Sequence, residues 1–81
     1  MTRSQILNAF CDKQKGYASS EHRTDGVSLE WYHYTLAKWN GDIVILYKRE
    51  VRKASYRHYW EELVRLLKAR SIEAKIVSVI D

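Results

Sequence analysis

Asn40-Gly41 separates two runs, Val27 to Trp39 and Asp42 to Arg49, that are both rich in β-branched and aromatic residues. Asn-Gly tolerates the positive φ angles of a two-residue type I′ turn, so the arrangement predicts a β-hairpin. With Asn40 and Gly41 as the central turn residues, Trp39 opposes Asp42, Leu36 opposes Ile45, Tyr34 opposes Tyr47 and Tyr32 opposes Arg49. One face then carries Tyr32, Tyr34, Leu36, Lys38, Ile43, Ile45, Tyr47 and Arg49; the other carries Leu29, Trp31, His33, Thr35, Ala37, Trp39, Val44, Leu46 and Lys48. Neither face is plainly polar, so the pattern does not say which one a helix covers.

The flanking segments set the order of elements. Thr2 followed by Gln5 has capping-box spacing, and Ile6, Leu7, Phe10 and Cys11 share a helical face, which predicts a short amphipathic helix over 3–13. The polar stretch from Gly16 to Gly26 reads as a long loop. Ser55 is placed to cap a second helix running to about Arg70, with Glu61 and Glu62 early and Lys68 and Arg70 late, in line with the helix dipole. Tyr56, Tyr59, Trp60, Leu63, Val64 and Leu67 give that helix its apolar stripe, and residues 72–80 read as a third strand. The expected fold is a single α+β domain over 1–81, in the order α-β-β-α-β, with a three-stranded sheet, an Asn-Gly hairpin and two helices. Its last three elements form a β-α-β unit.

Size and composition limit what such a domain can do. At 81 residues, folding buries little more than about 60% of the unfolded chain's surface. The core is thin, and large rings must supply much of it. One cysteine, Cys11, allows no disulfide within the chain and no cysteine-rich zinc site, which fits a cytoplasmic protein. The longest apolar candidate, Ile43 to Tyr47, is far too short to span a bilayer, and the amino terminus lacks a signal peptide's apolar run. No membrane partner is expected. The formal charge of +4 favours an acidic partner: DNA, RNA or an acidic host protein.

Two constellations point to binding. Tyr32, Tyr34 and Tyr47 would cluster on adjacent strands, with Lys38 and Arg49 near the edges, and single-strand binders combine such rings with cations because every base stacks and every linkage is charged. A helix over the same face would make those tyrosines core residues instead. The second constellation is YKREVRKASYRHYW, where Lys48, Arg49, Arg52, Lys53 and Arg57 surround one acidic residue, Glu50. Its bland counterpart is a solvated strand end and helix start.

Catalysis finds less support. Ser19, Ser20, Glu21, His22 and Asp25 share one stretch, yet a serine nucleophile needs a base, an orienting group and oxyanion donors in register. A polar turn explains the same residues. His58 and Glu62 share a helix face, but two ligands do not make a stable metal site. No cofactor is expected, because the glycines are scattered and form no phosphate-binding loop.

The segment from Leu29 to Arg57 resembles small accessory proteins of tailed bacteriophages and prophages. The matching positions are Tyr32, His33, Thr35, Ala37, Gly41, Asp42, Val44, Leu46, Ser55 and Arg57, roughly a third of the chain being covered. Glycines of that pattern after the second strand are replaced here by KREVRK. The resemblance implies a phage-encoded, non-catalytic protein and transfers no binding residue. The expectation is therefore a small basic protein that binds nucleic acid through Arg49, Arg52, Lys53 and Arg57, helped by the hairpin tyrosines. The alternative is an interaction module that modulates a host protein; a homodimer burying the second sheet face would also supply missing core.

Overall fold

The computed structural model describes residues 1–32, 34–50 and 52–79. Among them the order is α1 (Arg3–Cys11), β1 (Gly16–Ser19), β2 (His22–Thr24), β3 (Ser28–Trp31), β4 (Tyr34–Asn40), β5 (Ile43–Lys48), α2 (Ala54–Ala69) and β6 (Ala74–Ser78). All six strands form one sheet in chain order. Strands β1 to β5 pair antiparallel, and β6 returns through α2 to pair parallel with β5. The α+β class and the closing β-α-β unit match expectation; the three-stranded sheet and the α-β-β-α-β order do not.

Two features of the chain account for the additional strands. Residues 16–26, expected as a loop, form the β1–β2 hairpin and the turn into β3. Their side chains look loop-like because β1 is an edge strand with three of its four residues exposed, so backbone pairing holds it without an apolar alternation. The overlooked signal was Asp25-Gly26, a hairpin dipeptide in its own right. Asp25 Oδ1 accepts from the N–H groups of Val27 and Ser28 at 2.8 and 2.7 Å. Gly26 takes φ 93°, and a Cβ there would lie 2.8 Å from the Lys13 carbonyl oxygen, so the turn demands glycine.

The second feature is a break within Val27 to Trp39, expected as one strand. It breaks after Trp31, where Tyr32 takes φ 56°, and resumes at Tyr34 as the next strand. His33, which the pattern makes a packed or half-exposed strand residue, lies outside the described residues.

The Asn40-Gly41 hairpin is present, but its register is shifted: Asn40 pairs Ile43, Trp39 pairs Val44 and Ala37 pairs Leu46. Gly41 and Asp42 are thus the central residues, with Gly41 at φ 64° in the first position, the requirement of a type II′ turn. A β-bulge also interrupts β4. Leu29 pairs Ala37 while Glu30 pairs Thr35, leaving Leu36 as the extra residue. Leu36 and Ala37 are consequently both fully buried, and the single face expected for Tyr34, Leu36, Lys38 and Tyr47 is split.

Both helices cover one face of the sheet. Ile6, Leu7 and Phe10 of α1 and Tyr56, Tyr59, Leu63 and Leu67 of α2 close over Leu29, Trp31, Leu36, Val44 and Leu46. Burying these side chains contributes about 1.5–3 kcal/mol each before entropy opposes it. The capping box at Thr2 and Gln5 forms as expected. Ser55, by contrast, is not the cap of α2: the helix begins two residues earlier than that cap would place it, with Lys53 at the N-cap and no side-chain capping bond.

Candidate nucleic-acid interface

The chain leaves β5 at Lys48 and enters α2 at Ala54, so five cations of one short segment are delivered to one corner of the molecule. Lys48, Arg52, Lys53 and Arg57 are exposed, and Arg49 is half-buried. Arg49 is the ordered member: its Nη1 donates to the Thr35 carbonyl at 2.7 Å, its guanidinium lies 5.3 Å from the Tyr34 ring centre, and its backbone N–H donates to the Tyr56 hydroxyl at 3.3 Å. Lys48, Arg49 and Arg57 line a depression of about 160 Å³ with Tyr56 and Trp60, whose rings stack at 6.4 Å. The sequence pattern had given Tyr56 and Trp60 to the core stripe alone; their i, i+4 spacing next to Arg57 was the available signal.

The start of α2 adds to the positive field. Its first turn contains no acidic residue and no side chain caps it, so its first N–H groups and the positive end of the helix dipole face the same corner. The ion pairs among the described residues lie elsewhere: Arg3 with Glu62, Arg23 with Glu30, and Arg70 with Asp12. None engages Lys48, Arg52, Lys53 or Arg57.

The aromatic half of the expected site is only partly assembled. Tyr32 is 45% exposed, stands edge-on to Trp31 at 4.6 Å and has the Lys53 ammonium 5.8 Å from its ring centre, so it joins the basic corner. Tyr34 is turned by the bulge to the helix-covered side and packs against the core. Tyr47 pairs Val77 on the opposite, uncovered side. Lys38 also lies there, beside Ile45 and remote from the basic corner in the strand register. The three-tyrosine platform is therefore dispersed, and Tyr32 alone of the three joins the basic corner.

The histidine stretch is organised differently from a nucleophile and its base. His22 Nε2 hydrogen-bonds the Tyr59 hydroxyl beneath α2, and the Arg3 guanidinium sits 5.7 Å from the Tyr59 ring centre. Burial holds the His22 pKa below its ordinary value, with Arg3 acting in the same direction, and burial pushes the Tyr59 phenol well up. Ser19 Oγ accepts from the Glu21 N–H, a local turn contact. Glu62 pairs with Arg3. Among the described residues no group of three or more His, Cys, Asp or Glu side chains is placed to hold a metal, and no helix is long and apolar enough to cross a membrane.

Compared with known proteins, the chain matches no family model, no curated protein and no solved structure. None of these comparisons links it to phage accessory proteins.

Proposed function

We propose that the protein is a non-catalytic, cytoplasmic binding protein whose basic corner takes the phosphate backbone of a nucleic acid. The observation that carries this reading is the gathering of Lys48, Arg52, Lys53 and Arg57 at the uncapped start of α2 with no carboxylate partner among the described residues. Phosphate oxygens suit both the side-chain cations and the free N–H groups of a helix start. Tyr32 offers one ring on which a base can stack, favouring a single strand over a duplex. A phage origin belongs to the same proposal and rests on the hairpin resemblance alone.

The test is a titration of fluorescently labelled random single-stranded and duplex oligonucleotides at two salt concentrations. For a single strand, the triple variant Arg52→Ala, Lys53→Ala, Arg57→Ala should lower the log-log salt slope by about 2, at ~0.7 per phosphate contact. Arg70→Ala removes an arginine already paired with Asp12 and should leave that slope unchanged. Absence of binding by the intact protein at low salt would sink the reading.

A specific observation favours a second reading. The sheet face opposite the helices presents Ile43, Ile45, Tyr47 and Val77, an apolar strip suited to a protein partner. Recovery of one host protein in a pull-down, lost in Ile45→Lys, with no affinity for oligonucleotides, would transfer the function to that face.

A further inference from the structure

Strand β6 carries an unused set of backbone hydrogen-bonding groups. Val44 N–H donates to the Glu73 carbonyl at 2.9 Å and Val79 N–H donates to the Lys48 carbonyl at 2.9 Å. In a parallel ladder these contacts fix the alternation: residues 73, 75, 77 and 79 face β5, while the N–H and C=O groups of Ala74, Ile76 and Ser78 point away from the sheet. Among the described residues no strand meets that edge. Every residue of β6 is exposed, Ile76 by 56%, and the strand has no proline or bulge to discourage pairing; its one charge, Lys75, pairs Ile45 on the uncovered face.

The edge is complementary to itself. If two copies align antiparallel about Ile76, each Ile76 exchanges both backbone bonds with its counterpart, and Ala74 pairs with the partner's Ser78. Lys75 then sits across from the partner's Val77 and places no cation opposite another cation. Ile76 pairs Leu46, so it lies on the helix-covered side, where the two isoleucines would meet.

The flank of α2 fits the same axis. Tyr59 and Glu62 mark the flank turned toward α1 and β2, which leaves Trp60, Val64 and Lys68, one turn apart, on the flank toward β6. Trp60 and Val64 are half-buried and line a shallow depression of about 330 Å³ with Glu61, Arg65 and Lys68. Val64 is five residues before the end of α2 and Ile76 two residues into β6, so both lie about 7 Å from the α2–β6 turn. Across a two-fold axis at Ile76 the helices run antiparallel, and Glu61 approaches the partner's Lys68. A strand edge alone falls short of the ~1,200 Å² that stable interfaces bury, and the helix seam adds apolar area and a Glu61–Lys68 pair on each side of the axis, Arg65 remaining an unmatched cation of the same depression.

We propose that the protein forms a two-fold dimer by β6–β6 pairing centred on Ile76, producing one continuous twelve-stranded sheet with the two α2 helices packed side by side over the seam. The occupant of this edge is a second copy of the chain. The dimer does not depend on nucleic-acid binding.

Sedimentation equilibrium from micromolar to millimolar protein tests it. Wild type should fit a monomer–dimer equilibrium, and the amides of Ile76 and Ser78 should exchange more slowly with deuterium as concentration rises. Ile76→Pro removes only an outward N–H, and by symmetry two hydrogen bonds per dimer, so the dissociation constant should rise about tenfold or more. Should that variant lose its fold by circular dichroism, the exposed charge pair decides instead: Glu61→Lys should weaken the dimer severalfold, and Glu61→Lys with Lys68→Glu should restore it. A wild type monomeric throughout, an assembly larger than two chains, or a dimer indifferent to these variants overturns the proposal.

Discussion

At the β1–β3 end of the sheet, cations are engaged with the chain itself. Arg23 Nε meets Glu30 at 2.8 Å, Arg70 meets Asp12, and Arg3 reaches both Glu62 and the ring of Tyr59. At the β5–α2 corner, Lys48, Arg52 and Arg57 extend from a strand end and a helix start without a carboxylate partner among the described residues, and Lys53 meets only the Tyr32 ring. Exposed ion pairs contribute little to stability, typically about 0–1 kcal/mol, so the two ends differ less in how they hold the fold than in where they attract outside charge. At the first end three arginines are neutralised by carboxylates, Lys13 lies over the Trp39 ring and Lys15 is exposed. The other keeps a field that reaches outward over roughly a Debye length, about 8–10 Å at physiological salt.

The largest effect that separates the two regions is in stability. Phe10 is fully buried, its ring lies 5.9 Å from that of Trp39, and its carbonyl accepts the Trp39 indole N–H at 2.8 Å. Phe10→Ala should cost about 3–5 kcal/mol in urea unfolding, because transfer and cavity losses add. Arg57→Ala, at an exposed position without an ion pair among the described residues, should stay within about 0.5 kcal/mol. A large loss at Arg57 would mean that the basic corner holds the fold together, and the division of labour between the two ends would collapse.

At Tyr32 the contributions of backbone and side chain can be separated. Its φ of 56° is a left-handed conformation that costs a non-glycine residue on the order of 1 kcal/mol and suits glycine. Tyr32→Gly should therefore leave the melting temperature nearly unchanged, the relief of the backbone offsetting the lost contact with Trp31. The same change should weaken single-strand binding by about 1–3 kcal/mol if a base stacks on the ring. A loss of stability with no loss of binding would reverse the assignment and make Tyr32 a structural turn residue.

What could be read beforehand, and what could not, follows the same physical line. The α1 cap at Thr2, the apolar stripe of α2 and the presence of a strand after it were legible because they depend on spacing within a short window. The β1–β2 hairpin was not, since a mostly exposed edge strand such as GYAS is specified by its neighbour's backbone more than by its own side chains. The bulge at Leu36 was equally hidden: a period-two pattern cannot announce its own interruption, and that interruption moves Tyr34 away from Tyr47. The basic corner was legible as composition, whereas its freedom from carboxylates required the fold that pairs Arg23, Arg70 and Arg3 elsewhere.

The two helix starts give a smaller contrast. Thr2 accepts from the Gln5 N–H at 3.2 Å while the Gln5 side chain accepts from the Thr2 N–H at 2.8 Å, so Thr2→Ala should cost about 1 kcal/mol in thermal or urea unfolding. Ser55, one residue inside α2 and without a capping bond, should tolerate alanine within about 0.5 kcal/mol. Equal losses at both positions would indicate that α2 begins later than Ala54 and that its free N–H groups are fewer than the phosphate-binding reading needs.

The smallest expected effect concerns protons at the paired end. His22 sits between Tyr59 and the charged groups Arg3 and Glu62, with the amino terminus contributing a further positive charge, and its pKa is lowered chiefly by burial. The unfolded chain, with an ordinary histidine pKa near 6.5, then binds the proton more readily than the native protein does. Stability from this group is therefore fully present above the unfolded value and declines as pH falls from about 6.5 through the lower native value, where His22 must accept a charge beside Arg3. Unfolding measured between neutral and mildly acidic pH should show that decline, and His22→Gln should flatten it without altering oligonucleotide binding at neutral pH. If binding instead changed with His22, the two ends would be coupled through Tyr59 and Trp31, whose rings lie 6.1 Å apart on the path from His22 toward Tyr32.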